Sequence, residues 1–355
     1  MAAHPTELSL ELKPSQRFDI IDVKNRIGRQ FGDFLNQYKK SFYCSFHTTA
    51  GYLEQSFCAR LNHDKDHVDP FIGAFRKLFP ADADYRHDQM ELRNELTEEQ
   101  KVCEPRNGDS HLIFIGSGLN NAVTYQNQPE VPVYFIDLDG VYEDQTRSRK
   151  TSVLGYNEEV VVHRKRVAVP MSKHRVDSVN LRDDGLGIKE EINELLHKLG
   201  VNKGYVQISL SPEEKNAGVT VNEYETLLMR HDLTEVLKNP IKFMAEQGRS
   251  MLKDPRTIPS KTMNYAKYDF VHIFNEIMDA FKVSDSVVEK ILAKFIALPA
   301  SRFLRMKRSI NLFVTSQNGD PGQLIHGTYQ SPILVQWKNS PGETRYLDIA
   351  ITEFK

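Results

Sequence analysis

The chain has 355 residues, a formal net charge of −2 and 26% charged against 40% hydrophobic residues, which is ordinary globular composition at a length that favours two domains. The balanced charge gives no global electrostatic case for nucleic acid or a membrane surface, no apolar run approaches the ~20 residues of a bilayer span, and the first residues show no targeting leader. Three cysteines, Cys44, Cys58 and Cys103, with no Cys-x-x-Cys, fit a reducing compartment, so a cytoplasmic protein is expected.

Residues 8–12 alternate apolar and polar, the period of a half-buried strand. Asp22 caps a helical pattern with Val23, Ile27, Phe31, Phe34 and Leu35 on one face. The aromatic segment Phe42-Tyr43-Cys44-Ser45-Phe46 reads as a strand that gives out at His47-Thr48-Thr49-Ala50, where a strand end can present side chains to a cleft. A helix is predicted over 69–78, stopped by Pro80. A polar loop carries Tyr85-Arg86-His87-Asp88, and 89–110 read as an exposed, charged excursion. His111 opens an apolar run, 111–115, predicted as a buried strand. Another strand, 131–136, closes in Asp137-Leu138-Asp139-Gly140, and 158–168 supply one more.

From Arg175 the order restarts. A strand over 176–181, an amphipathic helix over 187–199, a strand over 205–210 and a helix over 222–237 repeat the first elements at an offset of roughly 170 residues. A helical insertion over 268–298 follows, then strands over 309–315, 332–338 and 345–353. Two such units, 1–170 and 171–355, predict an α+β protein with substantial sheet that arose by tandem duplication.

Histidines at three element junctions, His47, His87 and His111, offer imidazoles that bind zinc and titrate near neutral pH. A metal site, an acid–base cluster and simple solvated loop histidines are all open. Thr48 and Thr49 offer hydroxyls to a phosphate, although Thr49 fits equally a β-branched strand position. Asp88 either orients an imidazole or forms a turn. Asn222 is a site residue or a helix N-cap, and the nine positions from Glu223 to Asp232 put those two on opposite faces of the predicted helix. The phosphatase-like Asp137-Leu138-Asp139 lacks the βα alternation such an enzyme needs, and Gly116-Ser117-Gly118 lacks the third glycine of a dinucleotide loop, where Asn121 stands.

Taken together, His47-Thr48-Thr49-Ala50, Tyr85-Arg86-His87-Asp88, Ser110-His111, Asp137-Leu138-Asp139-Gly140 and Arg147-Ser148-Arg149 resemble the YjbQ-like, or secondary thiamine-phosphate synthase, family. Its members are single units about half as long as this chain. The family's Asn-Glu falls on Gln55-Ser56 in the first half. The second half is the complement: it has Asn222-Glu223, Asp232, Gly327-Thr328-Tyr329-Gln330 and Arg345, while Glu214, Lys267 and Arg302 stand where the histidines would be.

The resemblance implies two mixed-sheet units packed with helices, and a homo-oligomer. It implies a small phosphorylated substrate and a thiamine-phosphate synthase-like transfer that releases pyrophosphate. The implied catalytic residues are His47, His87, His111, Asp88, Glu223 and Asp232. The implied substrate contacts are Thr48, Thr49, Asn222, Arg147 and Arg149. A divalent metal, zinc or similar, on His47, His87 and His111 is one reading of the cluster. The division of motifs suggests one composite site between the halves; its rival keeps the site within the first half. From other classes, a metal-dependent hydrolase of a small phosphorylated compound and a non-catalytic binding or scaffold protein stay open.

Overall fold

The alternating segment at the start of the chain is β1 (Thr6–Leu12), followed by β2 (Asp19–Asp22) and α1 (Val23–Phe31). Asp22 caps α1 by accepting the Asn25 N–H, which is why that helix starts where it does. The first half continues through β3 (Lys40–Ser45), β4 (Ala50–Tyr52), α2 (Gln55–Arg60), α3 (Lys65–Leu78), α4 (Glu98–Cys103), α5 (Gly108–Ser117), β5 (Ala122–Gln126) and β6 (Tyr134–Asp137). A ribbon of β7 (Val141–Tyr142) and β8 (Gln145–Thr146) leads to β9 (Arg149–Tyr156). The second half gives β10 (Glu159–Pro170), β11 (Asp177–Asn180), α6 (Ile188–Leu199), β12 (Lys203–Leu210), β13 (Ala217–Asn222), α7 (Leu233–Lys238), β14 (Ser309–Thr315), β15 (Gln323–Ile325), β16 (Ser331–Gln336) and β17 (Thr344–Phe354). The computed structural model describes residues 4–81, 83–142, 145–238, 306–316 and 321–355. The expected insertion over 268–298, and Lys267 and Arg302, lie outside them.

The strand order carries the repeat. One sheet runs β1-β9-β3-β5 and another β10-β17-β12-β14, with β15 added at its edge. Beside each lies a three-stranded sheet, β2-β6-β4 and β11-β16-β13. α1 follows β2 just as α6 follows β11. The pairings are antiparallel throughout. The protein is α+β, as the sequence pattern predicts. No helix among the described residues is long and apolar enough to cross a membrane.

Three local expectations are corrected. His111 and the apolar run behind it form α5, not a strand. Every residue of α5 is buried, and the helix ends at Gly118 in the left-handed conformation. A helix enclosed on all sides has no polar face, so its sequence loses the period that would distinguish it from a buried strand. Asn222 does not open a helix either. Residues 217–222 are a wholly buried strand, β13, and helical structure resumes beyond Tyr224 in a π-type turn, Leu228–Asp232, that runs into α7. Third, the charged stretch 89–110 is not a simple excursion, because Arg93, Asn107 and Asp109 within it are buried.

Two apolar contacts join the halves. Phe42 and Tyr156 of the first large sheet meet Phe313 and Phe354 of the second. The Phe42 ring stacks on Tyr205 and Phe313 with centroids 5.6 and 5.7 Å apart, and Tyr156 stacks on Phe354 at 4.0 Å. On the other side, Phe57, Phe71 and Leu112 of α2, α3 and α5 share a core with Leu228, Leu233 and Ile333. Truncating Phe42, which is fully buried, is expected to cost about 3–5 kcal/mol in urea unfolding. A loss below about 1 kcal/mol would mean that the sheets do not pack closely there.

Candidate acid–base site between the two halves

The second core contact brings the His87 loop and α5 of the first half against the end of β13 and the turn before α7. Asp232 ties them together first. Its two carboxylate oxygens accept the backbone N–H groups of Arg86 and His87 at 3.0 and 2.9 Å. The π-type turn places Asp232 there, a geometry common at functional positions. Burial pushes the Asp232 carboxyl up to about 6.

The His87 ring is fully buried and bonded at both nitrogens. Nδ1 lies 3.1 Å from Glu225 Oε2, and Nε2 lies 3.1 Å from Asn107 Oδ1. The amide of Asn107 is oriented by its other end, where Nδ2 donates to Asp139 at 2.8 Å. Its oxygen therefore faces His87 and can only accept. Glu225 also only accepts, because its carboxylate takes the N–H groups of Leu227 and Leu228 at 2.7 Å each. Two acceptors require two ring N–H groups, so His87 is an imidazolium. Burial alone would lower its pKa, but the Glu225 bond and the Glu223 charge outweigh burial and hold it above the ordinary value. Glu225 is shifted the opposite way: its bonds to His87, Leu227 and Leu228 outweigh burial and hold it below the carboxylate norm.

His111 is the contrasting case. Its Nδ1 is 2.7 Å from Asn222 Oδ1, and that oxygen also accepts the Glu223 N–H at 2.8 Å, while Asn222 Nδ2 donates to the Thr48 carbonyl at 3.3 Å. The hydrogen on His111 is therefore on Nδ1. Its Nε2 is buried and has no hydrogen-bond partner among the described residues, and Glu223 Oε2 is 3.5 Å away. Burial and then the His87 charge hold the His111 pKa well below ordinary, so the ring is neutral with a free lone pair. The two rings lie edge to face with centroids 5.0 Å apart. Burial raises the Glu223 carboxyl; Arg93 approaches its other oxygen at 3.3 Å.

The ligand atoms of His87, His111 and Glu223 lie within 4.8 Å of one another, a spacing a metal ion could use. The hydrogen bonds argue against that fit. Only His111 Nε2 and Glu223 have lone pairs to give, whereas zinc sites take three or four protein ligands. A cation would also have to displace a proton held between His87 and a buried carboxylate.

No family model matches the chain, and no curated protein does. Solved structures do match. A YbjQ-like protein of unknown function from Sulfolobus solfataricus aligns with 55% of this chain and 99% of its own, at 16% identity and a TM-score of 0.28. A hypothetical protein from Aeropyrum pernix aligns over 54% and 98%, at 17% identity and a TM-score of 0.28. An uncharacterised conserved protein of the YjbQ family from Clostridium acetobutylicum aligns over 53% and 98%, at 14% identity and a TM-score of 0.27. The chain is similar to YjbQ-like proteins.

The remaining residues of the YjbQ-like pattern sit around this centre in different roles. His47 is not in the three-residue group. Its Nε2 accepts the Lys150 N–H at 2.8 Å, and burial, with Arg149 and Arg147 nearby, holds its pKa down to about 3. The repeat accounts for this. Aligning Ala50-Gly51 with Ala217-Gly218 puts Glu214 at the place of His47, and Glu214 accepts the Tyr346 N–H at 2.8 Å. Tyr346 follows Arg345 at the start of β17 as Lys150 follows Arg149 at the start of β9. Both side chains pin the head of the closing strand.

Arg149 gives Nε and Nη2 to Asp137 at 2.7 and 2.8 Å and Nη2 to the Asp139 carbonyl at 2.6 Å. Its Nε and Nη2 donors are taken up inside the protein. The buried Thr49 hydroxyl is 3.4 Å from the same guanidinium. Arg147 pairs with Asp139 at 3.1 Å with 29% of its side chain exposed. Asp88 accepts the Gly108 N–H at 2.9 Å at the head of α5, a capping position.

His47→Gln keeps an acceptor for the Lys150 N–H and is expected to retain activity. Because the His47 pKa is depressed on folding, the stability it supplies is full above its unfolded value of about 6.5 and is lost as pH falls toward about 3. Acid unfolding of wild type beside His47→Gln checks this: the variant should lose less stability below about pH 6.5. Equal losses would place an ordinary, solvated imidazole at this position.

Glu225, Asn107 and Arg93 were not singled out from sequence. Glu225 carried a readable signal, being a second acid two positions past Glu223 at a strand end. Asn107 and Arg93 carried none, since polar residues in a charged stretch look solvated.

Proposed function

We propose that the protein is a small-molecule enzyme whose proton-transfer pair, His111 and Glu223, is assembled from both halves. One observation carries this reading: a buried imidazole with its tautomer fixed by Asn222, its Nε2 lone pair unused, and a carboxyl of raised pKa beside it. Groups whose environments push their pKa values apart divide acid and base roles between them. His111 Nε2 takes the proton from a bound substrate. The neighbouring His87 imidazolium keeps His111 weakly basic, so the proton is passed on, and Glu223 is the adjacent acceptor. His87 does not touch substrate in this scheme; Glu225 and Asn107 hold its charge in place.

A phosphorylated substrate and release of pyrophosphate, as in thiamine-phosphate formation, are what the family resemblance implies. Of the two expected phosphate contacts we assign only Arg147, because Arg149 is committed to Asp137. Pyrophosphate release from pyrimidine pyrophosphate plus thiazole phosphate is the first assay. Glu223→Gln is expected to lower turnover at least about tenfold. Unchanged turnover and affinity would overturn the composite acid–base reading.

A second reading draws on the bonds that cross between the halves, Asp232 to the His87 loop, Glu225 to the His87 ring and Asn222 to His111 and Thr48: the network is a polar lock that holds the halves in register. Under that reading Glu223→Gln changes stability alone.

A further inference from the structure

The geometry points to a ligand subsite, formed by His111 Nε2 and Glu223 Oε2, that takes an uncharged hydroxyl or amino hydrogen-bond donor of a small molecule rather than a divalent cation. This names the substrate class for the acid–base reading and rests on it for the fate of the proton; binding itself needs no turnover.

His111 Nε2 is fully buried without a hydrogen-bond partner among the described residues, in a ring whose other nitrogen is well bonded. Leaving such an atom unsatisfied is destabilising, and a ligand donor would recover that loss. Glu223 supplies the second acceptor. Its Oε1 takes Arg93, and its Oε2 faces His111 at 3.5 Å. Two acceptors at that separation suit a single N–H or O–H group placed at ordinary hydrogen-bond distance from both.

The third member of the group is not an acceptor, since both His87 nitrogens donate. The charges also discriminate. The His87 imidazolium ring is 5.0 Å from His111, and the Arg93 guanidinium is on Glu223. Each is already paired, His87 with Glu225 at 3.1 Å and Arg93 with Glu95 at 2.7 Å and Glu104 at 3.5 Å, so a neutral donor enters without unbalancing the group, whereas a divalent ion adds charge to it. Glu223 is the more accessible of the two, with 16% of its side chain exposed against 1% for His111.

The test uses the full chain labelled with 15N-histidine. Benzyl alcohol and aniline are titrated beside benzyl methyl ether and N,N-dimethylaniline, which have the same rings without the donor. Zinc alone is titrated in parallel. The two donors should move the His111 Nε2 resonance saturably and the methylated compounds should not. Glu223→Met should weaken the donors about tenfold. Zinc should not bind. The subsite is overturned if no probe moves the resonance, if methylated and unmethylated probes act alike, or if one zinc binds per chain and is lost in Glu223→Met. Donor binding with full turnover in His111→Gln would leave the subsite standing and defeat the catalytic reading instead.

Discussion

Exchanging Glu225 for Gln is expected to destabilise the protein by about 3–5 kcal/mol, the range for removing one partner of a buried ion pair. Neither member has water to fall back on: the His87 side chain is 0% and that of Glu225 4% exposed. The variant must either keep an uncompensated imidazolium or, with a neutral ring, turn its amide NH2 toward Nδ1 and so take the acceptor away from the Leu228 N–H. The pH dependence follows from the shifts. The His87 pKa is raised on folding, so the stability this contributes is full below its unfolded value of about 6.5 and lost as pH rises through the folded value. The Glu225 pKa is lowered, so its contribution is present above about 4.3 and lost as pH falls through the folded value. The gap between wild type and Glu225→Gln should therefore be widest between those limits and narrow in alkali. Urea unfolding across that range measures it. Equal stabilities at mildly acidic pH would mean that the pair does not form.

His111→Gln is expected to lower turnover by about 10²–10⁴, the usual worth of a positioned proton-transfer group. Glutamine can still donate to Asn222 and fill much of the imidazole's space, so the change removes the base rather than the hydrogen bond. Substrate affinity should change far less than turnover, because the loss falls on proton transfer in the transition state. Turnover within a few-fold of wild type would take His111 out of the chemistry.

The pattern of motifs made the duplication legible before the sheets were seen, and the repeated strand order bears out that the chain carries two copies of one topology. His47 was also placed well: it does sit where β3 gives out, before β4. What the sequence could not give was its role. The hydrogen bond that occupies it comes from Lys150, and its meaning shows only when Glu214 is found making the same bond in the other copy. The run that begins at His111 reads as a strand and is a helix, because α5 is enclosed on every side and its pattern lacks a polar face. Arg93 and Asn107 were hidden for a different reason. Charged and polar residues in a hydrophilic stretch look solvated, and Arg93 is buried among Glu95, Glu104 and Glu223, the last of them 130 positions away.

The halves divide the work in a way a duplication permits. The first copy supplies the imidazoles. The second supplies Glu225, whose bond holds the charge on His87, and Asn222, whose bond fixes the tautomer of His111. Where the second copy lost the His47 equivalent, Glu214 took over the backbone bond and also pairs with Arg345 at 2.7 Å, so that end is a structural ion pair.

The central claim is that residues of the second half set the protonation of histidines in the first. Histidine-selective 15N NMR of the full chain from about pH 5 to 9, wild type beside Glu225→Gln, tests it most directly. The account expects His87 to carry protons on both nitrogens through neutral pH and to lose one in the variant. It expects His111 to carry a proton on Nδ1 alone throughout. Two rings that titrate together near the ordinary value, unchanged by Glu225→Gln, would contradict it.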